Sequence, residues 1–109
     1  MKIEELVEKY TYRVEWSEDD RTHIARCAEL PSLAAHGEKA ADAIIELEKV
    51  VLETLKWMEE DKEDLPIALS TRKYKGNLTL RVPSNVHRKL AIESLEQGVS
   101  INQLILSKL

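Results

Sequence analysis

A seven-residue stretch near the C-terminus, NLTLRVP at residues 77–83, constrains the fold more than any other feature. Polar and apolar residues alternate for six positions, which is the pattern of a β-strand with one buried face, and a proline then ends it. The apolar face consists of Leu78, Leu80 and Val82, and the polar face of Asn77, Thr79 and Arg81. Only two helix-sized segments follow, so this part of the chain contains no sheet that the strand could join.

A lone strand with an apolar face is unstable in water and tends to pair with another strand. We therefore expect two chains to donate one strand each to an antiparallel ribbon, with the apolar faces packed against the helices of both chains. The expected dimer core comprises Leu78, Leu80, Val82, Leu90, Leu104 and Ile105. The polar face would then be presented twice, around a two-fold axis.

A two-stranded ribbon of this kind fits the major groove of DNA. Arg81 has the donors to engage guanine, Asn77 can pair with adenine, and Thr79 can contact either type of base or a thymine methyl. The alternative interpretation is a solvated strand face without a ligand. The candidate phosphate contacts are Lys73, Lys75, Arg88 and Lys89.

The charge distribution also separates the C-terminal third from the rest of the chain. The net charge is −4, but residues 1–71 hold 9 Lys and Arg against 18 Asp and Glu, whereas residues 72–109 hold 7 against 2. An acidic body joined to a basic tail suggests two partners, with a polyanion as the candidate partner of the tail. Chance clustering on a solvated surface is the alternative.

The acidic body has the pattern of three strands followed by one long helix. Alternation predicts a strand over residues 10–16, a returning strand over 21–28 and a short third strand over 33–36. From Glu38 the period becomes helical, and the helix is expected to end near Glu60. Its apolar stripe is predicted to contain Ala40, Ile44, Leu47, Val51, Leu55 and Met58, widened by Ala43, Val50 and Trp57. A short leading helix over residues 1–9 would complete an α+β domain.

In the tail, helix signals follow the strand directly. Ser84 is predicted as the N-cap of a helix that runs to about Gln97, where Gly98 ends it. Ser100 is predicted to cap a second helix, with an apolar stripe formed by Ile101, Leu104, Ile105 and Leu109.

The tail resembles the ribbon-helix-helix repressors of the Arc and MetJ type through Arg81-Val82-Pro83, "SNVHRKLA" and "GVSINQLI". In that family the polar strand positions read bases, and the start of the second helix holds a phosphate through its backbone amides. The resemblance assigns that role to the amides of Ser100, Ile101 and Asn102. A helix N-terminus has free N–H groups and partial positive charge, which suits an anion.

The whole chain is similar to HicB antitoxins that carry a ribbon-helix-helix tail, through its element order, "ELPSLAAHG" and residues 73–105. The resemblance implies a partial ribonuclease H-like domain over residues 1–64 that binds and masks a HicA-like ribonuclease toxin. It further implies a linker over 65–74 and a DNA-binding and dimerisation domain over 75–109 that represses its own operon by binding double-stranded operator DNA. The assembly would be a homodimer or a dimer of dimers.

No catalytic or metal centre is expected, and no cofactor. Glu15 is the one acid of the first strand, and the three histidines and the single cysteine lack the spacing of metal ligands. Two alternatives stay open: a stand-alone repressor whose N-terminal domain senses a ligand, and a metal-dependent nuclease that uses Glu15. The acidic start, the absence of a membrane-length apolar run and the lone Cys27 favour a cytoplasmic protein without a membrane partner.

Overall fold

The computed structural model describes residues 2–109, and this part of the chain contains four helices and three strands. In chain order they are α1 (Ile3–Lys9), β1 (Tyr12–Ser17), β2 (Thr22–Cys27), β3 (Ala34–Gly37), α2 (Ala40–Glu60), α3 (Ser84–Gln97) and α4 (Ile101–Lys108). The α+β class predicted from the sequence is confirmed. The chain divides between Lys73 and Tyr74 into two units, called here the body and the tail.

The sheet of the body is antiparallel with the order β1-β2-β3. Tyr12 pairs with Cys27 across the first hairpin, and Ala25 pairs with Ala35 across the second strand pair. The three predicted strands are confirmed within one or two residues. Tyr10, which the alternation placed in the first strand, instead follows α1 and is buried.

The core of the body lies between the sheet and α2. Four residues of α2 spaced four apart, Ala43, Leu47, Val51 and Leu55, are fully buried. The prediction that Val50 and Trp57 widen this stripe is wrong, because Val50 is 37% exposed and Trp57 is 68% exposed. At about 100° per residue Trp57 lies roughly 100° around the helix axis from the buried line.

The predicted leading helix is confirmed as α1, whose buried residues Ile3, Leu6 and Val7 join the same core. The prediction also included Met1, which lies outside the described residues. β3 approaches α2 very closely at Gly37. A Cβ atom there would lie 2.8 Å from the Asp42 carbonyl carbon and clash with the Ala43 amide, so this contact requires glycine.

The segment after α2 is fixed to the body by three hydrogen bonds. The Tyr10 hydroxyl donates to the Pro66 carbonyl at 2.7 Å, the Ser70 hydroxyl donates to the Lys9 carbonyl at 2.7 Å, and the Leu69 amide donates to Glu29 at 2.9 Å. Ala68, in the same segment, is fully buried. Much of the stretch interpreted as a linker from the sequence is therefore part of the packed body.

Glu29 joins this segment to the start of β1. Its carboxylate also accepts the Thr11 amide at 2.8 Å and the Thr11 hydroxyl at 3.2 Å. Burial disfavours the charged form, but hydrogen bonds from the amides of Thr11 and Leu69 outweigh it and hold the pKa of Glu29 below its ordinary value. The ionised carboxylate therefore stabilises the body.

Two other buried groups are held neutral by their surroundings. Burial raises the pKa of the Tyr10 hydroxyl to about 12 and also raises the pKa of the Cys27 thiol. Cys27 therefore has the properties of a packing residue, because its thiol is neutral and almost fully buried.

Among residues 2–109, no helix combines the length and the apolar character needed to cross a membrane.

Candidate nucleic-acid interface

The segment predicted as the ribbon strand has no regular secondary structure in the single chain. It follows Gly76, whose φ of +80° lies in the left-handed region. Leu78 is 86% exposed and Leu80 63% exposed, and Val82 is exposed as well. The predicted strand is absent because a strand exists through hydrogen bonds to a neighbour, and residues 77–82 make none within the described chain.

All three predicted base-contacting residues lie on the surface. Asn77, Thr79 and Arg81 are exposed, and Arg81 takes part in no ion pair with the described residues. The two faces of the segment are not separated as the strand prediction requires. Asn77 and Arg81 line the same concave surface as their apolar neighbours Leu78 and Leu80.

This concave surface of the tail has a volume of about 820 Å³. It brings together five of the six residues predicted for the dimer core, namely Leu78, Leu80, Val82, Leu90 and Ile105. Leu106 and Leu109, both largely exposed, extend its apolar lining. The concave surface therefore gathers the exposed leucines of the tail beside the polar side chains of Asn77, Arg81 and Asn102.

The sixth predicted core residue, Leu104, has a different place. It is only 2% exposed and is buried where α3 and α4 pack together. On the same pair of helices, Lys108 forms an ion pair of 3.1 Å with Glu93, and the hydroxyl of buried Ser94 donates to the Ala91 carbonyl. Leu104 therefore stabilises the single tail before any second chain binds.

The predicted end of α3 at Gly98 is confirmed, whereas the predicted N-cap of this helix is wrong. Pro83 occupies the N-cap position and Ser84 is the first helical residue, without a side-chain capping bond. The prediction of Ser84 as the N-cap is wrong because Pro83 already has the extended conformation of a cap residue. At the other end Gly98 adopts a φ of +69°, and its amide donates to the Leu95 carbonyl, as expected for a glycine that ends a helix.

The start of α4 forms a capping box. The Ser100 hydroxyl accepts the Gln103 amide at 3.0 Å, and the Gln103 side chain accepts the Ser100 amide at 2.9 Å. Of the three amides assigned to a phosphate by resemblance, that of Ser100 is thus already engaged. The amides of Ile101 and Asn102 meet no acceptor within the described chain and point from the positive end of the helix.

The basic residues predicted to contact phosphates lie before and after the segment 77–83 in the sequence. Lys73, Lys75, Arg88 and Lys89 are all exposed, and none forms an ion pair with a described residue. The tail as a whole, residues 74–109, holds five Lys and Arg against two Asp and Glu. Its surface is therefore suited to attract a polyanion.

The nuclease alternative requires clustered metal ligands in the body. Within residues 2–109, no group of three His, Cys, Asp or Glu side chains is placed to hold a metal ion. Glu15 is exposed, and its carboxylate Oε1 lies 4.0 Å from a guanidinium nitrogen of Arg13.

Two residues that organise the molecule were missed in the sequence analysis. Gln103 was detectable, because Ser100 followed by glutamine three residues later is the pattern of a capping box. Glu29 gave no such signal, since its partners Thr11 and Leu69 lie 18 and 40 residues away.

Residues 62–109 match the family model described as the HicB family. No curated protein and no solved structure matches the chain. The matched range contains the whole tail and the segment that packs on the body before it. This match supports a HicB-type protein.

Proposed function

We propose that this chain is the antitoxin of a HicA/HicB-like toxin–antitoxin pair, which neutralises a ribonuclease by direct binding and represses its own operon through the tail. The proposal unites the family match over residues 62–109 with the two-unit organisation of the chain. The chain itself would perform no chemistry, since masking the partner's active site is sufficient.

The observation that carries the DNA-binding part is the exposed, alternating segment 77–83. An isolated tail leaves Leu78 and Leu80 in water, although burial of each leucine is worth roughly 1.5–3 kcal/mol. Pairing with the same segment of a second chain would cover these leucines and satisfy the free backbone groups. The same pairing would direct Asn77, Thr79 and Arg81 away from the apolar side.

The start of α4 supplies the second DNA contact in this proposal. The free amides of Ile101 and Asn102 would bind a backbone phosphate, while the capping box keeps the first turn of the helix in place. Lys73, Lys75, Arg88 and Lys89 would add contacts that depend on salt but not on sequence.

The acidic body would bind the ribonuclease. Residues 1–73 hold 18 Asp and Glu against 11 Lys and Arg, and a ribonuclease must attract phosphates. Opposite charges speed the association of such partners, and the acidic surface would exclude nucleic acid from the toxin.

The DNA-binding part is tested by a gel shift with the promoter region of the gene and the Arg81→Ala variant. We expect a loss of about 1–3 kcal/mol for each base pair that Arg81 contacts, with unchanged folding because the side chain is exposed. Arg13→Ala, which removes an exposed arginine from the body, is the matched control and should bind like the wild type. Wild-type affinity of the Arg81→Ala variant would contradict the base-reading role.

The antitoxin part is tested by co-expression with the reading frame adjacent to the gene, which the proposal expects to encode a short basic protein. We expect a stable complex after purification and rescue of growth from the toxicity of that product. If the chain binds its promoter but neither binds nor neutralises the neighbouring product, a stand-alone repressor is the better assignment.

A further inference from the structure

One flank of α2 leaves the side chains of Val50 and Trp57 partly in water. Trp57 is 68% exposed, and Val50, two helical turns earlier on the same side, is 37% exposed. Single exposed aliphatic residues are common, but tryptophan is usually largely buried. Exposed tryptophans are also enriched among the residues that dominate binding energy in protein interfaces.

The neighbours of these two residues on the helix surface are acidic. Glu53 precedes Trp57 by four residues and Glu60 follows it by three, so both lie beside the indole. Neither carboxylate forms an ion pair with a described residue. We name the surface formed by Val50, Glu53, Trp57 and Glu60 the tryptophan flank.

A negative charge in the tryptophan flank destabilises the C-terminal end of the helix that carries it. The last turn of α2 contains no basic residue, although the C-terminus of a helix has partial negative charge and favours cations. Glu60 lies in that turn. A cationic group bound at this end would relieve the repulsion.

We propose that the tryptophan flank is the docking surface for a basic protein partner, whose lysine or arginine side chain stacks on Trp57 between Glu53 and Glu60. This inference rests on the proposed function, in which the body binds a basic ribonuclease. A cation over an indole face is attracted by the ring electrons, and the two carboxylates hold the same cation by charge. The aliphatic stem of that side chain would pack along the tryptophan flank toward Val50.

The charges argue against two other occupants. Nucleic acid would place phosphates against Glu53 and Glu60. A second copy bound around a two-fold axis would set the same acidic flank against itself.

The test measures, by titration calorimetry, the affinity of the full chain for the purified product of the reading frame adjacent to the gene, which the proposed function expects to be a short basic protein. We expect Trp57→Ala to weaken binding by at least about 30-fold, as is usual for a tryptophan that anchors an interface. Glu53→Lys should weaken it by about tenfold or more. The matched controls are Glu48→Lys and Ile45→Ala, exposed positions on other sides of the same helix, and both should stay within about threefold of wild type.

Three outcomes decide the proposal. Binding of both flank variants at wild-type strength would overturn the docking site and leave the antitoxin assignment intact. No binding by the wild-type chain would remove the antitoxin assignment together with this inference. A change in the oligomeric state of the chain alone on Trp57→Ala would show that the flank contacts other copies, and would also overturn the proposal. Circular dichroism spectra and urea unfolding midpoints close to those of the wild type in all four variants verify that the body of each protein is folded.

Discussion

The body and the tail differ in how completely each buries its own apolar residues. In the body, Leu47, Val51 and Leu55 are fully enclosed between α2, α1 and the sheet. In the tail, Leu104 is buried, while Leu78, Leu80 and Leu109 lie mostly in water. One unit therefore completes its apolar core within a single chain, whereas the other leaves several of its leucines uncovered.

The complete core of the body predicts a large loss of stability when one of its buried side chains is truncated. Leu47→Ala should lower the free energy of unfolding by about 2–5 kcal/mol, because it removes buried contacts and leaves a cavity. Urea denaturation followed by circular dichroism measures it. Ile45→Ala, on the exposed side of α2, should change the value by less than about 0.5 kcal/mol, and equal effects of the two variants would refute the assigned core.

A substitution in the tail should disrupt the association of two chains without unfolding the single chain. Leu80→Lys should weaken self-association by at least about a hundredfold, because two leucines per dimer lose their burial. Analytical ultracentrifugation over a range of concentrations measures this change. Leu95→Lys alters a leucine that is 81% exposed and lies outside the concave surface, and it should leave self-association unchanged. If Leu80→Lys associates like the wild type, the ribbon proposal fails.

Glu29 tests how firmly the segment before the tail is held on the body. Glu29→Ala should cost about 1–3 kcal/mol at neutral pH, because it leaves the amides of Thr11 and Leu69 without their acceptor. Glu29→Gln keeps one acceptor oxygen and should cost less.

The effect of Glu29 should also depend on pH in a defined direction. Since the pKa is lower in the folded state than its ordinary value of 4.5, the charged carboxylate contributes its full stability above that pH. The contribution is lost as pH falls through the lowered pKa. The difference in free energy of unfolding between the wild type and Glu29→Gln should therefore become smaller below about pH 4.5. A difference that stays constant with pH would contradict the assigned charge.

The smallest expected effect concerns the caps of the tail helices. Ser100→Ala removes the hydroxyl that accepts the Gln103 amide and should cost about 1 kcal/mol. Ser84→Ala is the matched control, because Ser84 makes no capping bond. Thermal unfolding of both variants at one protein concentration distinguishes them, and similar melting temperatures would argue against the capping box.

The sequence predicted those parts of the fold that depend on local patterns. The helix α2, the strand β1 and the stop at Gly98 are each encoded within a few residues, and all three are confirmed. The alternation in burial along β1 holds only from Tyr12 to Glu15, since Trp16 is 49% exposed. The exposure of Trp57 was not predictable, because an apolar residue beside a stripe has the same signal whether or not a neighbour covers it. The packing of residues 65–71 on the body depends on Glu29 and Tyr10, which are distant in sequence.

The candidate site was predictable to a similar extent. Alternation selected Asn77, Thr79 and Arg81, and their exposure in the single chain agrees with a surface role. The strand itself could not be verified in one chain, since its hydrogen-bonding partner would be another copy. The engaged amide of Ser100 was encoded locally as well, because a serine followed three residues later by glutamine is the pattern of a capping box, in which the glutamine side chain accepts this amide.

The exposed leucines of the tail have a consequence for how protein concentration in the cell controls promoter binding. If the DNA-binding face formed by Asn77, Thr79 and Arg81 exists only in the dimer, the concentration of dimer at low expression rises with the square of the chain concentration. Halving the supply of the protein would then reduce promoter occupancy by about fourfold in the dilute regime. Such an arrangement would make the operon respond steeply to proteolysis of its own product.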